Sequence, residues 1–337
     1  MEAKRTPEAE RLAGLARSFA GRRVLVVGDL IADQFLFGEI SRVSREAPVL
    51  ILRHERTETV PGGAANCAMN LASLGARASI VGAVGDDEAG RALLARLAGA
   101  GVECGGVFVS SRLRTTTKVR VLAGQAHSPR QQVIRVDYES ETRADEFAPE
   151  IAARLSERQS AAEAVVVSDY DYGVAGAAVV EALGRVAAAR EKPVLVDSRF
   201  RLREFRGLTS ATPNEDEVEH LTGVRVSDAD ALSRLGEQLR ADLGFEALLV
   251  TRGRDGMTLV EAGAPPTPLA AVGSHDAVDV TGAGDTVIAT YALALAAGAN
   301  YHEAAALANH AGGIVVLKRG TACVTPGELL ASLRDNG

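Results

Sequence analysis

Val24-Leu25-Val26-Val27-Gly28-Asp29 is a short apolar run that breaks off into a glycine and a carboxylate. A continuous apolar run of this length has the size of a strand buried on both faces and is too short for a helix. The pattern recurs along the chain. Ser79 to Val84 ends in Gly85-Asp86-Asp87, Ala164 to Val167 in Ser168-Asp169-Tyr170, Pro193 to Val196 in Asp197-Ser198-Arg199, and Ala247 to Val250 in Thr251-Arg252-Gly253. Between several of these runs lie stretches rich in Ala, Leu, Arg and Glu, at Glu88 to Ala98, Ala175 to Ala189 and Asp228 to Leu243, which read as helices. Strand and helix in alternation predict an α/β fold: a central, mostly parallel sheet with helices on both faces. Ligands of such sheets bind outside the carboxyl ends of the strands, which is where this chain keeps its polar groups.

Two regions break the rhythm. Leu36 to Val60 and Thr115 to Asp137 contain Val49-Leu50-Ile51-Leu52-Arg53-His54-Glu55, the run from Thr115 to Ala123, and Gln131 to Asp137, in which apolar and polar residues tend to alternate. Alternation marks half-exposed strands. Segments of approximately 35–60 and 115–138 therefore predict a small β-sheet lid, and the stretch from Gly124 to Arg130, with its Gly, Ser and Pro, predicts a hairpin loop. The sequence has no internal repeat and no linker long enough to part independent domains, so residues 1–337 are expected to form a single domain.

A chain of 337 residues is long enough to bury an enzyme-sized core, and 47% hydrophobic with 24% charged residues is ordinary for a globular protein. No apolar run reaches the roughly 18 residues that span a bilayer. The N-terminal stretch, Met1 to Gly21, lacks the apolar centre of a signal peptide and reads as an amphipathic helix, so a cytoplasmic location is expected. A net charge of -7 disfavours a nucleic-acid partner and favours a small molecule. Cys67, Cys104 and Cys323 are widely spaced and form no CxxC, and no histidine stands at zinc spacing from them, so reduced cysteines and no structural zinc are expected.

The strongest local signal is Asp279-Val280-Thr281-Gly282-Ala283-Gly284-Asp285-Thr286, followed by an apolar helical stretch. Small residues admit an anion close to backbone N–H groups, and the following helix aims its positive end at the same point. Gly282, Ala283 and Gly284 thus make a phosphate-receiving turn. Asp285 would repel a phosphate there unless it meets an incoming hydroxyl beside it, as a base does. Taken alone, an acidic residue capping or lining the first turn of the helix explains Asp285 equally well. A GxGxxG turn directly after the first strand, which a dinucleotide-binding dehydrogenase needs, is absent: the chain reads Gly28-Asp29-Leu30-Ile31-Ala32-Asp33 there.

Four blocks in order, Gly28-Asp29 through Asp33, Pro61-Gly62-Gly63-Ala64-Ala65-Asn66, Asn214-Glu215-Asp216-Glu217 and the turn ending at Asp285, resemble the ribokinase-like, or PfkB, carbohydrate kinases over roughly residues 22 to 330. The resemblance implies a ribokinase-like fold and transfer of a phosphoryl group from ATP, with Mg2+, to a sugar hydroxyl. Asp285 would be the base, and Gly282, Ala283 and Gly284 the anion turn. Asp33 would hold sugar hydroxyls, with Gly62, Gly63 and Asn66 as the floor and Asp29 nearby. Asn214 and Glu217 would organise Mg2+ through water, since that ion retains several waters. Thr251, Gly253 and Asn309 would lie along the nucleotide. The plainer readings are a turn for Gly62 and Gly63, an N-cap for Asn66, a helix start after Pro213 for Asn214 and Glu217, and a satisfied helix residue for Asn309. Asp279 is a candidate for a monovalent cation such as K+, or for a structural role. A homodimer joined through the small sheets is a further expectation from the resemblance.

Within that family the chain is similar, from Gly28 to Ala76 and again around Val133 to Glu139, Ser168 to Gly173 and Thr212 to Glu219, to the kinase domain that phosphorylates D-glycero-D-manno-heptose 7-phosphate at its anomeric oxygen, on the way to nucleotide-activated heptose for surface polysaccharide. A sugar phosphate needs distal cations, and Arg42, Arg45, Lys118, Arg120 and Arg135 lie in or beside the lid, one or two of which are expected to serve. The chain departs from the subgroup at Tyr172, where a lysine is usual, and at Asp197-Ser198-Arg199, where DPK is usual. Many of these relatives continue into a nucleotidyltransferase domain; here none is expected before Gly337, and a separate adenylyltransferase would act downstream. The alternatives are a kinase of ribose, fructose phosphate or a nucleoside, and a non-catalytic sugar-binding regulator on the same fold.

Overall fold

Alternate residues of the apolar runs serve two different cores. Val24 and Val26 pack with Ala164, Val166, Leu195 and Leu249 on one side of a sheet. Leu25 and Val27 pack with Val165, Val167, Val196 and Val250 on the other. A strand covered by helices on both faces has no polar side, which is why these segments show no alternation.

The computed structural model describes residues 6–125, 130–273 and 277–335. The strands are, in chain order, β1 (Arg23–Gly28), β2 (Leu30–Val43), β3 (Leu50–Gly63), β4 (Arg77–Gly85), β5 (Glu103–Ser110), β6 (Thr117–Gly124) and β7 (Gln131–Tyr138). Next come β8 (Ala164–Asp169), β9 (Val194–Ser198), β10 (Ser210–Ala211), β11 (Ala247–Thr251), β12 (Met257–Glu261) and β13 (Thr267–Leu269). Nine of them form one sheet in the order β13-β12-β11-β10-β9-β8-β1-β4-β5. All neighbours are parallel except at one edge, where β12 runs antiparallel to both β11 and β13. The expected helices are present at Glu88–Gly99, Ala177–Ala188 and Ala229–Leu243. The N-terminal helix is Pro7–Arg17, with Met1 to Arg5 outside the described residues.

From β1 the chain first builds outward through β4 and β5, then returns to lay β8 on the other side of β1. The order therefore reverses between β1 and β8, and the crevice of such a sheet opens at the carboxyl ends of those two strands. Asp29 follows β1 there, and Tyr170 follows β8.

The remaining four strands form the small sheet, in the order β3-β2-β6-β7. It is rooted closer to the core than the alternation suggested. β2 starts at Leu30, ahead of the expected boundary near residue 35, because Leu30, Ile31 and Ala32 are all buried and so mask the alternation. At the other end β3 runs on to Gly63, which caps the helix Ala64–Ser73 from a left-handed φ of 58°. The loop predicted between Gly124 and Arg130 falls largely on residues 126–129, outside the described residues.

Candidate active site

Asp29 is buried at the foot of the crevice, and its carboxylate serves the loop after β8. Oδ2 accepts from the backbone N–H groups of Tyr170 (2.8 Å) and Tyr172 (3.1 Å), and Oδ1 from that of Val174 (3.1 Å). Burial and the nearby Asp169 carboxylate push Asp29 up to about 6, against those same hydrogen bonds. Expected beside the sugar, Asp29 instead spends these contacts on shaping the loop. Within that loop Asp171 takes a left-handed φ of 64°, a strained conformation for a non-glycine residue. Its carboxylate is clamped by Arg143 at 3.0 Å.

The shaped loop delivers Tyr170 to Asp285. The Tyr170 hydroxyl donates to Asp285 Oδ1 at 3.0 Å, and the Asn66 side-chain amide donates to Oδ2 at 2.9 Å. Asp285 lies in the first turn of the helix Ala283–Ala296, whose N-cap is Gly282 at φ 76° with no side-chain cap bond. The carboxylate therefore does not cap its helix but lies in its first turn, with both oxygens turned to Tyr170 and Asn66. Among the described residues the Gly284 and Asp285 N–H groups carry no hydrogen bond, as expected of a helix N-terminus, and are open to an anion. Burial raises Asp285 to about 7, and Asp33 adds to the rise; Asn66, Tyr170 and Lys118 oppose it. A carboxyl group tuned near neutrality is suited to receive a proton.

Asn66 is the third residue of its helix and not its cap. Its own Oδ1 accepts from Asn70 Nδ2 at 3.2 Å, and Asn70 Oδ1 accepts from the Thr286 hydroxyl at 3.1 Å. The helices Ala64–Ser73 and Ala283–Ala296 are thus stitched together by buried amides around the carboxylate. A Cβ on Gly282 would collide with the Asn66 amide, and one on Gly62 with Asp33 Oδ2, so both glycines are demanded by close approach.

Above Asp285 stands the lid. Asp33, on β2, is buried and ion-paired with Arg120 of β6 at 2.5 Å. Lys118, two residues before Arg120 on the same face, is nearly buried, with Nζ 5.5 Å from the centre of the Tyr170 ring and 5.7 Å from that of Tyr172. Burial draws its pKa down, partly countered by Asp33. Arg135 faces Arg120 across β6 and β7 and pairs with Asp137. Arg42 and Arg45 lie exposed at the far end of the lid. Of the five cations from which one or two were expected to meet a distal phosphate, the structure turns Lys118 and Arg120 toward Asp33. Tyr172, at the position where lysine is usual in the subgroup, donates its hydroxyl to Glu139 at 3.3 Å.

On the opposite side of the Gly282 turn runs a mostly apolar cleft. Thr251, Gly253 and Asn309 line it together with Ala283, Gly284, Met257 and Val287. Asn309 donates its amide to Ala270 O at 2.6 Å. Asn214 and Glu217 form a reciprocal capping box on the helix Glu215–Thr222, which is the plain helix-start reading realised. Asp197, to which the sequence assigns no role of its own, lies beside Gly284, its Oδ2 3.6 Å from where a Cβ would sit. Burial holds the Asp197 carboxyl well above the usual range, reinforced by Glu217, Asp285 and Asp169. Asp279 accepts from Thr281 N and Gly320 N, both at 2.9 Å, tying two loops together.

A helix N-terminus with open N–H groups, set between an apolar cleft and a buried acidic pocket, is an arrangement suited to a phosphotransferase. The sequence matches the pfkB family of carbohydrate kinases across residues 22–326, and the chain belongs to that family. It is 44% identical over 325 residues to the "Bifunctional protein HldE" of Caulobacter vibrioides, covering 96% of this chain and 65% of that protein. With the protein of the same name from Desulfatibacillum aliphaticivorans it shares 40% identity over 319 residues, 94% of this chain and 64% of that one. The chain thus spans slightly less than two thirds of the length of these relatives. Among solved structures, Arabidopsis thaliana ribokinase complexed with ribose and ATP superposes with a TM-score of 0.71 at 23% identity, over 93% of this chain and 99% of that one. Escherichia coli phosphofructokinase-2 in complex with substrates and products gives 0.71 at 19%, over 93% and 98%. The ribokinase-like fold expected from the sequence is the fold observed. No helix among the described residues is long and apolar enough to cross a membrane.

Proposed function

We propose that this protein transfers the γ-phosphoryl group of ATP to the anomeric hydroxyl of D-glycero-β-D-manno-heptose 7-phosphate, giving the 1,7-bisphosphate. The observation that carries the reading is the position of Asp285, a buried carboxylate raised toward neutrality at a helix N-terminus that also borders the cleft. In this reading Asp285 takes the proton of the sugar hydroxyl as its oxygen attacks phosphorus. The Gly284 and Asp285 N–H groups receive the transferring phosphoryl oxygens, and ADP leaves along the cleft lined by Thr251, Gly253 and Asn309.

The residues present fit a divalent cation. Asp197 and Glu217 are partly buried carboxylates; desolvation and then the Glu217 charge raise Asp197, and a cation on that side would relieve it. Asn214 and Glu217 would hold Mg2+ through water, where it would neutralise phosphate charge. The loops joined by Asp279 also suit a monovalent cation such as K+: the buried Thr321 hydroxyl, without a hydrogen-bond partner among the described residues, belongs to a side chain close to Gly282.

Lys118 and Arg120 would neutralise the distal phosphate, with Asp33 taking sugar hydroxyls. The departures at Tyr172 and Arg199 leave a second sugar phosphate as the rival substrate, since the Arg199 charge acts on both Glu217 and Lys118. A homodimer through the lid is supported by register: Val119 pairs with Val136 and Val121 with Ile134, placing apolar residues on the face opposite Lys118 and Arg120. Ile134 is 54% exposed there. The chemistry belongs in the cytoplasm, where ATP is supplied, and the anomeric phosphate formed would feed an adenylyltransferase.

The test is ATP consumption with Mg2+ across a panel of sugars and sugar phosphates, with 31P NMR of the product. Turnover with heptose 7-phosphate and a new anomeric phosphate signal is expected. Preference for ribose, fructose 6-phosphate or a nucleoside would replace the substrate, and no turnover with any would favour a sugar-binding regulator.

A further inference from the structure

We propose that Tyr170 is the positioning residue of the base: its phenol, aimed by the Asp29-shaped loop, holds Asp285 in its reactive rotamer and keeps it ionised for proton uptake. The proposal deepens the kinase reading and rests on it for the identity of the base. Tyr170 and Asp285 are 115 positions apart, and the packing of the helix Ala283–Ala296 against β8 brings them together.

The geometry assigns one donor to each carboxylate oxygen, Tyr170 to Oδ1 and Asn66 to Oδ2. Two donors on two oxygens fix both the torsion and the charge state, because each hydrogen bond favours the anion. The two donors differ in how they are supported. Asn66 is locked between helices by Asn70 and Thr286. Tyr170 is held by its own backbone, through Asp29, and by the strained turn at Asp171 that Arg143 clamps. A loop bent at such cost, around a buried carboxylate that touches its backbone three times, needs a purpose at its tip. At that tip stands the phenol on Asp285.

The other groups around Asp285 do not substitute for Tyr170. Asp33 on β2 and Asp197 on β9 are acidic and repel its charge, the Cys67 thiol behind it is pushed up by burial, and the Lys118 ammonium lies across the Tyr170 ring. Tyr170 is itself pushed far above the ordinary phenol range, first by burial and then by Asp285 and Asp197, so it remains a donor throughout the working pH range.

The experiment follows the Asp285 carboxyl by 13C NMR in the full chain labelled at aspartate, with Asp285→Asn to assign the signal. Tyr170→Phe is expected to raise the Asp285 midpoint by about one pH unit, the worth of one hydrogen bond to a charged group. The acidic limb of kcat/KM should move up with it, and kcat should fall at least about tenfold at neutral pH with KM for ATP unchanged. Site-specific 3-fluorotyrosine at 170, a stronger donor of nearly the same shape, should move the midpoint down, and it keeps the test open if Tyr170→Phe folds poorly. An Asp285 midpoint unmoved by both replacements overturns the proposal, as does an equal loss of kcat and nucleotide affinity without a shift of the limb. The titration needs no turnover, so it decides this point separately from the identity of the reaction.

Discussion

In the nine-stranded sheet, β8 buries every residue and β1 all but Arg23, whereas β7 of the four-stranded sheet exposes all of its residues. The first sheet is a filled layer between two cores; the second is a charged face over the crevice and an apolar face turned to solvent. The division assigns tasks. In the proposed reaction the groups whose position would decide the rate, Asp285, Asn66 and Tyr170, are anchored on the large sheet and its helices. Groups whose charge would select the substrate, Lys118 and Arg120, are carried by the small one. Asp33 stands at the joint, buried on a lid strand but two positions beyond the root at Ile31.

The sharpest way to break this division is at the base. Asp285→Asn keeps the shape and removes the proton acceptor, and kcat should fall by roughly 10³-fold. ATP affinity, read by calorimetry, should stay within a few fold because the cleft lies beyond Gly284. Equal turnover by the variant would remove Asp285 from the chemistry and leave the large sheet without its assigned task.

The lid half of the comparison is tested at Arg120. Arg120→Leu strips Asp33 of its partner in a nearly dry pocket, and KM for the sugar phosphate should rise roughly tenfold to a hundredfold, with a smaller effect on kcat. A fall in kcat with KM unchanged would mean that the lid also positions the reacting atoms.

Legibility in the sequence divides along the same line. The runs at Val24, Ser79, Ala164, Pro193 and Ala247 are readable because a strand buried on both faces has to be apolar throughout, and the chain spells that locally. The lid boundaries shift because Leu30 to Ala32 belong to the core and carry no alternation. The edge strands β12 and β13 escape notice, being short and without a helix between them. Asn66, Asp285 and the Gly282 turn can be named from pattern, but their hydrogen bonds cannot. Asp29 reads as a sugar ligand because the sequence cannot tell which way a carboxylate faces. Tyr170 and Asp197 stand out as polar residues at the carboxyl end of a strand and as members of segments compared with the subgroup, with no role attached; their approach to Asp285 and Gly284 is a product of strand order. That information lies in no local window.

A subtler contrast concerns pH. In the unfolded chain Asp285 has the ordinary carboxyl value of 3.8, and in the fold it is raised to about 7. The folded state therefore binds the extra proton between those values, so its contribution to stability is full below the lower one and is lost as pH rises through the upper one. Asp285→Asn, which cannot ionise, should match the native protein near pH 4 and exceed it near pH 8 by on the order of a few kcal/mol, measurable as a growing gap in Tm. A gap that shrinks with rising pH would mean that the carboxylate is stabilised in the fold, not strained by it.

The smallest effect is expected on the outer face of the lid, and its smallness is the point. Val166, on β8, is fully buried, while Ile134 on β7 is 54% exposed. The same change, to glutamate, should unfold the protein at 166, where an unpaired charge would be forced into the core. At 134 it should alter the stability of the single chain by no more than about 0.5 kcal/mol. If a second copy covers that face, Ile134→Glu should lower the mass seen by light scattering from dimer to monomer while turnover per chain persists. An unchanged mass would leave the exposed apolar stripe of β7 as plain surface, and the lid's work would then be confined to the face that carries Lys118 and Arg120.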